Sequence, residues 1–183
     1  MGYEIMAGTF DLIGSHTFTA AAGDAAINFT GIGTSHDDLY VLLECYGVTA
    51  GTLQLNCNSN SSNVWSGFGR QFTATGTTAD FMDTSSAAKT KFNAALVNNY
   101  QSNMSLYEMY FTGYRDTAVQ NVPIINYRNI SASYDVRVGD SFAAFGAGTS
   151  SNATAITAIN LNLDTGNFGQ NSRCSLYGIS NTI

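Results

Sequence analysis

The chain has 183 residues and a mass of 19.5 kDa, enough for one domain that buries roughly 70% of its extended surface. Charged residues are only 11% of it and aromatics 12%, against about 25% charged residues in ordinary soluble domains. The net charge is −6, and the basic residues (Arg70, Lys89, Lys91, Arg115, Arg128, Arg137 and Arg173) are dispersed, so the stripe of cations that nucleic-acid binding requires is missing.

In chain order, Met1 to Met6 lacks the basic and apolar regions of a secretion signal, so none is expected. No apolar run approaches the ~20 residues of a membrane-spanning helix, so no membrane partner is expected. Period-two alternation then takes over. Phe10–Ala20 and Ala25–Thr30 are short strand candidates. From Asp38 to Tyr46, Leu39, Val41, Leu43 and Cys45 alternate with Tyr40, Leu42, Glu44 and Tyr46, so both faces are partly apolar. From Thr52 to Asn58, Leu53, Leu55 and Cys57 point one way, Gln54 and Asn56 the other. The short Gly47–Gly51 link predicts that these two strands form a hairpin.

Gly69–Thr75 is another short strand candidate. Ala88, Phe92, Ala95 and Leu96 fall near helical spacing behind Asp83 or Thr84 as N-cap, which predicts one short helix near 85–99. Alternation returns at Leu106–Phe111 and is longest from Asn129 to Val138, read as a single strand stopped by Gly139-Asp140, with a further candidate at Phe142–Phe145. Ala155–Leu163 and Ser172–Ile179, joined through Asp164-Thr-Gly-Asn167 and Phe168, read as two strands closing one sheet. About 8–10 strands separated by turn signals predict a single all-β domain over residues 1–183, an antiparallel, jelly-roll-like β-sandwich.

Chemistry is sparse. Cys45, Cys57 and Cys174 lie inside strand candidates and read as small buried hydrophobes, an odd set with no paired zinc spacing. His36-Asp37-Asp38 is the densest polar cluster. Its first reading is a turn whose carboxylates accept local backbone amides; a cation site is the alternative. There is no Gly-x-Ser-x-Gly elbow and no phosphate loop, and Glu occurs only at positions 4, 44 and 108. No enzymatic role, cofactor or metal is therefore expected. Trp65, with Arg70 nearby, and Tyr110, Tyr114 and Arg115 are the candidate interface or glycan contacts, because aromatics beside a guanidinium suit stacking and anchoring. Packing within the core or a loop is the competing reading for each.

Phe29-Thr-Gly-Ile-Gly33, Asp38-Leu-Tyr-Val41, Tyr107–Arg115, Ile156–Leu163, Asn167-Phe168 and above all Ser175-Leu-Tyr-Gly-Ile179 carry a resemblance. In these segments the chain resembles a family of small virion structural proteins of tailed bacteriophages. The resemblance implies a virion component assembled in the host cytoplasm. A capsid decoration or cement protein that bridges shell subunits is the leading expectation. Its partners would be other virion proteins, the major capsid protein first, and copies of itself, with a trimer matching local three-fold positions of a shell. A tail-fibre or adhesin subunit that binds host glycans is the alternative.

Overall fold

The computed structural model describes residues 9–19, 26–46, 51–58, 65–73, 78–83, 92–97, 104–118, 121, 123–130, 136–145 and 154–181. These residues form twelve strands and no helix. In order they are β1 (Thr9–Thr17), β2 (Ala26–Thr30), β3 (Asp38–Cys45), β4 (Gly51–Cys57), β5 (Trp65–Thr73) and β6 (Thr78–Asp83). They continue as β7 (Phe92–Val97), β8 (Ser105–Phe111), β9 (Ile124–Ile130), β10 (Val136–Phe145), β11 (Ala158–Leu163) and β12 (Arg173–Ser180).

The topology follows from doubling the chain on itself. β1 pairs with β12, β2 with β11, β3 with β8 and β4 with β7, all antiparallel and nested one inside the next. Rolling this doubled ribbon adds the pairings β12–β3 and β11–β4. The product is two facing four-stranded units, 1-12-3-8 and 2-11-4-7, the strand order of a jelly roll. Two further hairpins, β5–β6 and β9–β10, extend the first unit. They give an eight-stranded sheet, β1-β12-β3-β8-β9-β10-β5-β6, over a four-stranded sheet, β2-β11-β4-β7. The expected all-β antiparallel sandwich is therefore present.

Four local expectations need correction. First, β3 and β4 do not form a hairpin; each lies in a different sheet. Leu39, Val41, Leu43 and Cys45 from one, and Leu53, Leu55 and Cys57 from the other, are all buried in a single core. Alternation is the same in a hairpin and in a crossing between sheets, so periodicity alone does not separate them. The same holds for the last two strands: β11 and β12 belong to different sheets, and the turn at Gly166 (φ 77°) lies between them.

The predicted helix is also absent where the structure describes the segment: Phe92–Val97 is strand β7, while 84–91 and 98–100 lie outside the described residues. Leu53 faces Ala95 but Gln54 faces Asn93, so Ala94 is an extra residue in the ladder. That irregularity breaks the two-residue period and leaves Phe92, Ala95 and Leu96 at a spacing that imitates a helix. Finally, Asn129 to Val138 is not one strand. β9 ends at Ile130 and β10 begins at Val136, which is its direct partner. β10 also runs on through Gly139-Asp140 to Phe145.

The three cysteines are free and buried, as small hydrophobes should be. Burial pushes the Cys45 thiol up to about 12 and raises those of Cys57 and Cys174 as well. The thiolate, which is the reactive form, is thereby suppressed. A thiol-specific chromogenic reagent is expected to find no reactive cysteine in the native protein and all three in denaturant; rapid native labelling would contradict this burial.

The ends of β12 mark the two ends of the sandwich. At its start, Phe168 stacks on Phe18 with ring centroids 5.2 Å apart. There too, the Ser172 hydroxyl donates to the Tyr46 carbonyl at 3.2 Å and accepts from the Tyr46 amide at 2.9 Å. On the four-stranded sheet, Asp164 and Thr52 exchange bonds: the Thr52 amide donates to Asp164 Oδ1 at 2.6 Å, and the Asp164 amide to the Thr52 carbonyl at 3.0 Å. Burial alone would raise the Asp164 carboxyl, but the hydrogen bonds from Thr52 and Thr165 outweigh it and hold the pKa below the ordinary value of 3.8. A lowered folded-state pKa stabilises the fold above the ordinary value, and that contribution is lost as pH falls through the folded pKa. Asp164→Asn is therefore expected to melt lower than wild type near neutrality, with the difference closing below pH 3.8; a difference that persists or grows at low pH would contradict the assignment.

Candidate functional site

The three sequence-selected residues whose side chains are described, Tyr110, Tyr114 and Arg115, do not converge on one site. Trp65 opens β5 at the position opposite Phe145 on β10, and only its backbone place is described. Tyr114 is fully buried and donates its hydroxyl to the Gly33 carbonyl at 2.6 Å, so its ring serves the core. Burial is also what raises its phenol pKa and keeps it a neutral donor. Arg115 is about half exposed and is held by Asp37 (Nη2 to Oδ1, 2.6 Å) and the Thr34 carbonyl (Nη1, 3.3 Å). Of these three, Tyr110 alone stands on an outer sheet face among other aromatics.

His36-Asp37-Asp38 forms a clasp at the finishing end of β12. Asp37 accepts from Arg115 through Oδ1 and from the Asn181 amide through Oδ2 at 2.7 Å. Asp38 accepts from the Gly113 amide through Oδ1 at 2.8 Å and from the Asn181 side chain through Oδ2 at 3.1 Å. The carboxylates thus do accept backbone amides, but from segments remote in sequence rather than from a local turn. Among the described residues no group of three His, Cys, Asp or Glu is placed to hold a metal ion.

His36 Nδ1 lies 3.2 Å from Ser180 Oγ and 3.8 Å from Asp11 Oδ2. A catalytic relay needs the serine and the carboxylate on opposite ring nitrogens; here both face the same one. The clasp is structural, and Asp37→Ala is expected to lower stability by about 1–2 kcal/mol, the range for a hydrogen bond to a charged group that is partly exposed. Urea denaturation measures it, and an unchanged midpoint would contradict the assignment.

The outer face of the eight-stranded sheet is organised in rows, because directly paired residues share a face. One row runs across all eight strands: Leu12 on β1, Tyr177 on β12, Tyr40 on β3, Tyr110 on β8 and Ile124 on β9, continued by the backbone positions of Phe142 on β10, Phe68 on β5 and Met82 on β6. Its first five strands span about 19 Å at ~4.8 Å per strand. Ring centroids are 4.7 Å apart for Tyr40–Tyr110 and 6.2 Å for Tyr40–Tyr177, and Phe10 stands edge-on to Tyr40 at 5.9 Å. Phe10 and Leu12 remain 55% and 60% exposed, so this is an apolar surface open to solvent.

The next row along the strands is polar apart from Leu42 at its centre: Ser15, Ser175, Leu42, Glu108 and Asn126. Tyr40 donates its hydroxyl to Glu108 at 2.8 Å. Burial first, and then the Glu108 carboxylate, raise that phenol far above its ordinary value, so Tyr40 stays neutral. One row further, Arg173 pairs with Glu44 at 3.1 Å.

The four-stranded sheet is different. None of β2, β4, β7 and β11 contains an Asp, Glu, Lys or Arg. Its outer face carries amide rows: Asn28–Asn160–Asn56, and beside it Ala26–Asn162–Gln54. Asn160 donates to Asn28, and Asn162 donates to Gln54 at 3.0 Å. Sequence reading missed both surfaces. The individual residues are visible in the alternation, but their alignment across strands far apart in the chain depends on the nested pairing. Compared with known proteins, the sequence matches no family model and no curated protein.

Proposed function

We propose that this chain is a non-enzymatic structural protein of a bacteriophage virion, a decoration or cement protein that bridges shell subunits of the head. The observation that carries the reading is the four-stranded sheet, whose strands β2, β4, β7 and β11 contain no charged residue, with Asp164 bonded to Thr52 just beyond the end of β11. Covering a charged face strands charges away from water at high cost. An amide face such as Asn28, Asn56, Asn160 and Gln54 can be covered by trading water hydrogen bonds for protein ones. The sparse charge of the whole chain and its resemblance to phage virion proteins support the same reading. The most specific segment of that resemblance, Ser175–Ile179, lies in β12, between β1 and β3. Cys174 and Leu176 point into the core, while Tyr177 points outward. The motif therefore shapes the sandwich rather than a catalytic site.

The mechanism is mass action: a protein that binds only the assembled shell stabilises the assembled state. The major capsid protein is the proposed partner. Particles lacking this protein are expected to lose infectivity and release DNA at a lower temperature than complete particles. Unchanged or greater heat resistance would overturn the cement role.

A second reading, a tail-fibre or adhesin subunit for host glycans, draws on Tyr110, whose ring lies in an open aromatic row beside Glu108 and Asn126. Aromatic faces stack on the apolar faces of sugars while carboxylates and amides bond their hydroxyls. A glycan array probed with the purified protein tests it, and no binding at high concentration would remove it.

A further inference from the structure

We infer that the apolar row on the outer face of the eight-stranded sheet is a platform for a linear, neutral polysaccharide lying across the strands. The inference deepens the second reading above and rests on it. It names the class of glycan: unbranched chains whose sugars carry apolar C–H groups on their flat faces and hydroxyls along their edges.

The shape of the row comes first. It contains no charged residue from Leu12 on β1 to the backbone position of Met82 on β6, a length of about 34 Å at ~4.8 Å per strand. It is also narrow. Tyr110 and Ile124 are the last outward positions at their end of β8 and β9, and Glu108 and Asn126 take the next ones, about 7 Å along each strand. A globular partner covers a broad patch of roughly 800 Å². A strip this long and this thin matches a chain instead.

The sheet argues for a sugar chain over a peptide. Peptides join sheets at their edges, where main-chain groups lack a neighbouring strand. Between β1 and β6 every strand has a partner on both sides. A peptide laid across them gains no ladder of hydrogen bonds, whereas a polysaccharide brings hydroxyls along its own edges.

The side chains fit both parts of such a chain. The Tyr177 and Tyr110 rings lie 6.2 and 4.7 Å from the Tyr40 ring and are inclined to it by 34° and 44°. The three make one continuous apolar surface, extended at the β1 end by Phe10 and Leu12, 55% and 60% exposed. Aromatic faces carry partial negative charge and attract the slightly positive C–H groups of a sugar face. Along one margin, Ser175, Glu108 and Asn126 supply a hydroxyl, a carboxylate and an amide for edge hydroxyls.

Charge selects a neutral chain. The protein carries −6, and Glu108 stands at the margin of the strip, so a polyanion is repelled. A carboxylate accepts readily from uncharged hydroxyls.

Isothermal titration calorimetry tests the inference with two series of linear oligosaccharides, the 1,4-linked oligomers of β-glucose and of β-N-acetylglucosamine, each from dimer to hexamer. The association constant is expected to rise with length in at least one series, by ~10-fold or more from dimer to hexamer. Tyr110→Ala and Tyr177→Ala are each expected to weaken hexamer binding at least ~10-fold, as losing a central aromatic anchor does. Leu12→Asp, at the exposed end of the strip, should weaken the hexamer at least ~3-fold and leave the dimer unchanged, since a short ligand does not need that end. Asn160→Ala, on the other sheet, should change neither. Should a tyrosine variant fail to fold by circular dichroism, Leu12→Asp decides, because Leu12 is 60% exposed.

No saturable binding of either hexamer at about 10 mM would overturn the inference. So would an affinity independent of chain length, or one that survives all three substitutions on the strip. Self-association that Tyr110→Ala abolishes, with no oligosaccharide binding, would overturn it too and assign the strip to a protein contact. A glycan array that binds only branched or charged glycans would remove the linear platform and leave the adhesin reading standing, whereas a blank array would remove both.

Discussion

Phe168→Ala is expected to cost about 3–5 kcal/mol of folding stability, the range for deleting a buried aromatic ring. Phe168 is fully buried and stacks on Phe18, which in turn meets the His16 ring with centroids 4.4 Å apart. The three rings close one end of the sandwich where the chain passes from β11 to β12. Their surroundings are fixed by backbone: the Phe18 amide donates to the Ser172 carbonyl at 3.0 Å, and the Asn171 amide to the Phe18 carbonyl at 2.8 Å. A cavity left there cannot collapse without breaking those bonds, so the upper part of the range applies. Against a total stability of about 5–15 kcal/mol for a domain, the loss is severe. Urea denaturation should show a large fall in midpoint at unchanged slope. A loss below about 1 kcal/mol would place Phe168 outside the core.

The second large effect is expected at Gly178. It lies on the core side of β12, buried, opposite Leu39 on β3 and Asp11 on β1. A Cβ at this position would fall inside the His36 ring. Gly178→Ala must therefore expel the imidazole, which also bonds Ser180 and sits in the Asp37–Asp38 clasp. Overpacking of this kind costs about 1–3 kcal/mol. The double-mutant cycle makes the test specific: in a His36→Ala background, Gly178→Ala should cost less than ~0.5 kcal/mol, because the obstructing ring is gone. An equal cost in both backgrounds would show that the ring is not what excludes the methyl group.

These two sites show how the fold was legible and where it was not. Strand content and the inward set were readable, because burying one face of a strand imposes a two-residue period. Leu39, Val41 and Leu43 alternate, and all are buried. Strand partners were not readable. The period at Leu53, Leu55 and Cys57 fits a hairpin with β3 as well as it fits a second sheet, and a single extra residue at Ala94 made β7 resemble a helix. The candidate site suffered for the same reason. Tyr40, Tyr110 and Tyr177 lie in three separate segments, and only the pairing of β3 with both β8 and β12 aligns them. Tyr114 and Arg115 follow Tyr110 closely in sequence, yet they turn into the core and into the Asp37 clasp.

The amide face is the plainest case of information present but not assembled. Asn28, Asn56 and Asn160 are separated by long stretches of chain, and each alone is an ordinary polar strand residue. Nested pairing sets them side by side on strands that contain no charged residue. Those strands are the observation on which the proposed assembly role rests.

The proposal of a head decoration protein is tested most directly by its copy number in purified phage particles, measured by quantitative mass spectrometry against the major capsid protein. The account predicts hundreds of copies per particle, in fixed ratio to the shell subunit. A dozen copies or fewer would place the protein on the tail, and its absence from the particle would contradict a virion role altogether.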